Sequence, residues 1–197
     1  LREENSMDYC QLGDLLSFTA GVNPTRIEKQ NQESLQFYDH ASFESDLNQK
    51  SFALGTDELN ETSLSLVAGD VVISSPLRLA TIVGEDNEGK LLTLNFIKVN
   101  IKERLDKFYF LYLFNQSRDV QRQKERELQG TGTSMRIPVK SLERIRIPLP
   151  SIEEQEKIGQ AYKQLLLLQT QLRKYSQLLE ATVQTSLEQI LRSESHE

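Results

Sequence analysis

The sequence holds one cysteine, Cys10, and no tryptophan. A lone thiol excludes an internal disulfide and a cysteine-built metal cluster, and it suits a reducing compartment, the cytoplasm being the simplest. Histidine is nearly as scarce. His40 and His196 lie far apart and lack the spacing of metal ligands. No apolar run approaches the roughly 18 residues that a membrane span needs, so no membrane segment is expected. Leu1-Arg2-Glu3-Glu4-Asn5 is charged and has no apolar region, so no secretory signal is expected there. The sequence does not begin with Met, which leaves open a trimmed chain or the C-terminal part of a longer one. No Gly-x-Gly-x-x-Gly follows a strand-like run, so a dinucleotide or adenosylmethionine crevice is not signalled, and Gly130-Thr131-Gly132 lacks the Lys-Ser/Thr of a phosphate loop. Ser74-Ser75-Pro76-Leu77 has one proline and no aromatic, unlike the Asn-Pro-Pro-Tyr loop of amino methyltransferases. No Asp…Glu-x-Lys cluster on a strand pair supports a metal nuclease. The expectation is a chain with no catalytic centre and no cofactor or metal of its own.

What is present is unevenly distributed. The net charge is −6, which argues weakly against nucleic acid, but the average hides an asymmetry. Residues 1–100 carry 7 Lys+Arg against 16 Asp+Glu, whereas residues 101–148 carry 11 against 6. A local basic surface matters more to phosphate binding than the total does. The plainer reading is that these charges decorate a solvated helix.

The 197 residues suffice for one substantial domain with an appendage. Residues 11–23 read as a short helical turn running into a glycine turn, and 24–34 as a loop. Strands are expected at 35–39, 51–54, 71–74 (after a Gly69-Asp70 turn), 79–83 and 91–101, with a loop over 85–90. Residues 105–128 take helical spacing with Phe108, Leu111 and Tyr112, and Gly130 ends the helix. A last strand covers 145–147. This pattern predicts an α+β globule with a curved, partly open sheet.

The C-terminal third is the most specific part. Pro148 and Pro150 cannot sit inside a helix and push Ile147 and Leu149 into extended backbone. Ser151 is a good N-cap with Glu154 three residues on, and Glu153, Glu154 and Glu156 suit the positive end of a helix dipole. A globular domain over 1–150 and one long helix over 151–197 are expected. The helix would be roughly 60 Å long at about 1.5 Å per residue. Ile158, Leu165, Leu172 and Leu179 recur every seven residues with Ala161, Leu168 and Tyr175 between them, the seam of a coiled coil. The seam continues through Val183, Leu187 and Ile190, where spacings of four imply a stutter. A helix packed on its own globule is the alternative, but such a length outruns the globule and favours an intermolecular partner.

In this order, Leu12-Gly13-Asp14 with Gly21, Gly69-Asp70-Val71-Val72-Ile73-Ser74, the aromatic run 108–113, the loop Gly130–Ser134, and Ile147-Pro148-Leu149-Pro150 followed by Glu153-Glu154-Gln155-Glu156-Lys157-Ile158 resemble the specificity subunits of type I restriction-modification systems. The resemblance spans nearly the whole chain. It implies a target recognition domain that reads half of a split site in double-stranded DNA. It also implies a spacer helix that docks adenine methyltransferase subunits. Those partners hold S-adenosylmethionine and methylate adenine, and a separate motor-nuclease subunit cuts. Family members carry two recognition domains and two helical regions, whereas this sequence carries one of each. A half-length subunit that forms a homodimer, or a piece of a longer chain, would account for that. Candidate phosphate contacts are Arg118, Arg122, Lys124, Arg136 and Lys140. Thr131, Gly132, Thr133 and Ser134 offer hydroxyl and amide donors, and Arg78 beside Pro76 is placed to enter a groove. Two other readings stay open: a non-catalytic coiled-coil adaptor, or the recognition fragment of a fused methyltransferase-nuclease.

Overall fold

In the computed structural model, which describes residues 8–26, 35–52, 63–132 and 135–194, four of the strand-forming runs meet in one antiparallel sheet. Its strands are β2 (Leu16–Ala20), β4 (Val71–Ser74), β5 (Leu79–Ile82) and β7 (Phe96–Ile101), in the order β2–β7–β4–β5. Side chains alternate across a strand, and here both faces are covered. Val71, Ile73, Ala80, Ile82, Ile97 and Val99 enter the larger cluster. Val72, Leu79 and Phe96 enter the smaller one on the opposite face. The larger cluster is closed by helices α1 (Leu12–Leu15), α3 (Lys107–Gln116), α4 (Arg118–Arg126) and α5 (Val139–Arg144), together with Tyr162 of α6 (Ile152–Glu194). The smaller is closed by α2 (His40–Leu47) and by β3 (Phe37–Tyr38) paired in parallel with β6 (Leu91–Leu92). A two-stranded ribbon, β1 (Tyr9–Gln11) against β8 (Arg146–Pro148), sits where the globule meets α6.

This is the expected α+β class with an open sheet and a long C-terminal helix, but several local expectations change. Residues 16–20 form a strand paired with β7, where a turn was expected. The strand foreseen over 91–101 is two: Leu94 and Asn95 make a turn between β6 and β7, with Phe96 N–H donating to the Thr93 carbonyl at 2.9 Å. The helix foreseen over 105–128 breaks at Ser117, whose extended backbone (φ −63°, ψ 121°) separates α3 from α4. Helices α2 and α5 were not foreseen. Ser51 and Phe52 are not in a strand, and residues 53–54 lie outside the described residues.

Two side-chain amides do the work of missing strands. Asn115 of α3 accepts from the Ala80 N–H (2.8 Å) and donates to its carbonyl (2.9 Å), on the outer edge of β5. Gln123 of α4 does the same for Arg146 in β8 (2.8 Å each). Both edges are thereby capped by helices, which removes the exposed backbone rows that invite unwanted pairing.

The start of α6 follows from its sequence. Ser151 Oγ accepts from the Glu154 N–H at 3.4 Å and donates to the Glu154 carboxylate at 3.3 Å. One turn in, Gln155 is buried: its side chain accepts from the Asp106 N–H (3.0 Å) and donates to the carbonyls of Arg104 (3.2 Å) and Pro150 (3.0 Å). Gly159 then lies so close to the start of α3 that a Cβ would overlap the Asp106 carboxylate.

Candidate nucleic-acid interface

Three loops meet at one end of the main sheet. The first is Ser75–Arg78, the tip between β4 and β5. Arg78 N–H closes it by donating to the Ser74 carbonyl at 2.7 Å, and Arg78 adopts φ 57°. It is the one non-glycine residue with positive φ among the described residues, a conformation that a side chain with a Cβ disfavours. The second is the Leu94–Asn95 turn, joined to the first through Ser75 N–H donating to the Asn95 carbonyl at 2.8 Å. Its other flank rests on Gly21 and Val22. Leu94 N–H donates to the Val22 carbonyl at 3.1 Å, and a Cβ on Gly21 would overlap the Thr93 carbonyl. Gly21 is therefore a close-approach glycine. The third loop is pinched at its base by Gln129 and Arg136, which exchange two backbone hydrogen bonds of 2.9 Å. Gly130 and Gly132 inside it have φ 112° and 56°. Between the loops lies an open groove of 380 Å³ lined by Ala20, Ser75, Leu94, Gln129, Arg136 and Pro138 among others. Leu77 and Leu94 project at these tips with 37% and 49% of their surface exposed.

Nine of the ten expected site residues divide into three groups. Arg78, Thr131, Gly132 and Arg136 are exposed on these loops, and Arg136 lines the groove itself. Arg118 and Arg122 are exposed one turn apart along α4, and Lys140 is exposed on α5 beside the groove-lining Val139; none of the three lines the groove. Thr133 and Ser134 lie outside the described residues.

Lys124 needs correction. Foreseen as a phosphate contact, it is 2% exposed. Its Nζ donates to the carbonyls of Phe114 (2.6 Å) and Arg78 (2.9 Å) and stands 4.1 Å from the centre of the Phe114 ring. Burial, with the Arg78 guanidinium adding to it, pulls its pKa down to about 8. The reason is geometric. Val120 is the only apolar residue of α4, and Lys124 follows it by one turn, so both face the core while Arg118, Arg122 and Arg126 face outward.

Leu77, Leu94, Asn95 and Gln129 were not singled out in the sequence. Leu94 was masked by its place in an alternating run, where it reads as an inward strand residue. On the far face of the sheet the polar residues form a closed network. Buried Asp46 accepts from Tyr38 Oη (2.6 Å), the Gly84 N–H (2.9 Å) and Asn87 (2.7 Å). Burial raises the Asp46 pKa, and those hydrogen bonds only partly offset it. These hydrogen bonds tie α2 to the loop after β5, and an open cavity of 350 Å³ lined by Asp46, Gln49 and Gly84 among others lies beside them.

Comparisons with known proteins bear on the family and the fold. The family model that matches is the type I restriction modification DNA specificity domain, over residues 5–181. A chain from a structure of complex assembly and conformational transition of the type I R-M system is 19% identical, with TM-score 0.58, covering 92% of this chain and 43% of that one. The HsdS subunit from Thermoanaerobacter tengcongensis is 19% identical, with TM-score 0.55, covering 90% and 41%. The S subunit of a type I restriction-modification system from M. genitalium is 14% identical, with TM-score 0.54, covering 93% and 45%. At these identities the likeness speaks for the fold. The chain spans less than half the length of each of these structures. A comparison with curated proteins finds no match.

Proposed function

We propose that the chain, which belongs to the family of type I restriction modification DNA specificity domains, is a non-catalytic subunit that reads one half of a split DNA target. Residues 1–150 serve as the reader and 151–197 as the spacer. The observation that carries this reading is the convergence of three loops on one groove, with Arg136 lining it, Arg78 exposed on one of the loops, and glycines allowing close backbone approach. Arginines and backbone amides suit phosphate oxygens, while short turns with exposed side chains reach base edges. Arg118 and Arg122 on α4 and Lys140 on α5 are exposed cations that suit further phosphate contacts.

The seam of α6 supports the second half of the reading. Ile158, Ala161, Leu165, Leu168, Leu172, Tyr175, Leu179, Val183, Leu187 and Ile190 are all exposed. A contiguous apolar stripe of this length favours a partner, and a second copy lying antiparallel would put two readers at opposite ends of one rod. Two-fold symmetry then calls for a palindromic target whose gap is set by the rod. Adenine methyltransferase subunits docked on such a rod would hold S-adenosylmethionine and perform the chemistry, with a motor-nuclease subunit joining the same cytoplasmic complex.

The test is co-purification with an adenine methyltransferase carrying Asn-Pro-Pro-Tyr, followed by mapping of methylated adenines. The expected result is a split, two-fold symmetric motif. A single contiguous asymmetric footprint would sink the half-site reading, and failure to bind any duplex would sink the whole.

A further inference from the structure

Lys124 is the least expected residue of the basic segment. An ammonium group in a core loses hydration and must recover it from partners. A methionine would fill similar space without that cost, so the charge has to do something there. Its partners say what. One is the Phe114 carbonyl, in the last turn of α3, where helix carbonyls lack intrahelical donors and the dipole favours a cation. The other is the carbonyl of Arg78, at the tip between β4 and β5. Lys124 therefore bridges a helix end to a loop tip 46 residues away in sequence.

The tip carries stored strain. Arg78 sits at φ 57°, where Gly or Asn would be the cheaper residue. Backbone conformations of this kind persist when the surroundings over-determine them. Here they do. Arg78 N–H is tied to the Ser74 carbonyl, its carbonyl is tied to Lys124, and the strand that follows is clamped by Asn115 at Ala80. The side chain of Arg78 remains exposed on a tip whose Ser75 lines the groove.

We propose that Lys124 is a positioning residue that fixes the backbone of Arg78 so that the Arg78 guanidinium is held ready to read DNA. This deepens the proposed function and rests on it. It reverses the role first assigned to Lys124: the residue contributes to recognition without touching a phosphate. The strut acts on one tip, so its loss selectively weakens the cognate complex, while the salt-dependent, sequence-independent attraction is left to Arg118, Arg122, Arg136 and Lys140.

The experiment is a double-mutant cycle on the full chain in complex with its methyltransferase, using the duplex identified by methylation mapping and a scrambled duplex over a range of salt. The variants are Lys124→Met, Arg78→Gly and the pair; glycine suits the positive φ of position 78 and removes only the side chain. Lys124→Met is expected to weaken cognate binding about tenfold, within the range of one good base contact, and to leave the scrambled duplex and the salt slope nearly unchanged. The pair is expected to bind no more weakly than Arg78→Gly alone, because a strut has nothing left to position. Amide protection over residues 75–80 should fall in Lys124→Met while that of β7 holds. A salt slope reduced by about one would mean that Lys124 itself neutralises a phosphate, and would overturn the proposal. So would additive losses in the pair, or cognate binding indifferent to Arg78→Gly. If Lys124→Met fails to fold, Lys124→Gln, which keeps two N–H donors but no charge, runs the same cycle. A wild-type complex that binds cognate and scrambled DNA alike overturns the DNA-reading function itself, a result separate from additivity in the cycle.

Discussion

The two halves of α6 are one unbroken helix in two environments. In the first half, Gln155, Gly159 and Tyr162 are buried and Leu166 packs against the main cluster, a stripe that recurs at helical spacing and lies against α3. Tyr162 meets Tyr112 edge-on with ring centres 5.7 Å apart, and Lys163 stands 5.1 Å from the centre of the Phe108 ring. Just past that half, Arg173 donates to Asn48, the residue that caps the end of α2. In the second half every residue from 171 to 192 is exposed, including Leu172 at 59% and Leu179 at 66%. The heptad seam that runs through both halves is not the stripe that packs on the globule. At roughly 100° per residue the two stripes are about 120° apart around the helix. The globule thus holds the rod by one face and leaves the other clear along its length, so a partner helix would meet no competition from the chain's own core.

The largest test attacks the exposed half. Lys at both Leu172 and Leu179 would place two charges on the seam. Each leucine buried in a helix pair contributes about 1.5–3 kcal/mol, and an unpaired buried charge costs more. Self-association measured by sedimentation should weaken by roughly a hundredfold or more, while the unfolding midpoint of the globule stays put. A wild-type chain already monomeric at high concentration would show that the seam does not pair copies.

The next test attacks the packed half. Gly159→Leu forces a side chain into the Asp106 carboxylate and to within about 3 Å of the Tyr109 amide nitrogen. Overpacking of this kind costs typically about 1–3 kcal/mol. Gln155→Leu would leave the Asp106 N–H and the carbonyls of Arg104 and Pro150 unmatched, a loss of roughly the same size. Urea unfolding should show both losses with the seam's self-association intact. A loss of association equal to the loss of stability would mean that the faces are not independent.

A third test is one of pH, and it belongs to the globule alone. Burial holds the folded pKa of Lys124 near 8, below the usual lysine range. Below about pH 8 the ammonium is present folded and unfolded. Between there and the ordinary lysine value the unfolded chain keeps the proton and the folded chain releases it. The unfolded state then binds more protons, so stability rises with pH, by at most about 1.4 kcal/mol per unit from this one group. Urea unfolding at pH 7.5 to 9.5 should show that rise relative to Lys124→Met. Parallel pH curves for the two proteins would remove the shift.

Much of this was legible because periodicity survives in a single sequence. The β-branched runs at 71–74 and 79–82, the aromatic helix and the Pro-Leu-Pro start of α6 announce themselves by local chemistry. What stayed hidden is what depends on the opposite partner. Helix α2 has only Ala41, Phe43 and Leu47 as apolar residues and buries Asp46 instead, so its pattern looks like a loop. Helix α5 is too short at six residues to show a period. The break at Ser117 has neither Gly nor Pro to mark it. In the candidate site, the arginines and glycines of the loops were visible by type, but Leu94 read as core and Lys124 read as surface. The second error had a remedy in the sequence: in a helix with one apolar residue, the side chain one turn from Val120 shares its face. Gln155 had the same remedy, since Gly159, Tyr162 and Leu166 continue its stripe beside the seam.

The smallest test is at the boundary between globule and rod. Ser151→Ala removes the hydroxyl that caps α6. N-cap substitutions cost about 0.5–2 kcal/mol, and the lower end applies here because both hydrogen bonds are long, at 3.3 and 3.4 Å, and lie in an exposed turn. The cap is also backed up. Gln155 donates to the Pro150 carbonyl just before it, and Leu149 N–H donates to the carbonyl of Asp8, which directly precedes β1. The helix start is therefore held by tertiary bonds that a lone helix would lack. Amide exchange over 152–155 should quicken slightly in Ser151→Ala, with no change beyond Gly159. A fraying that spreads along the rod would mean that its register depends on the cap, and the buried stripe would then be a weaker anchor than Gln155 and Gly159 imply.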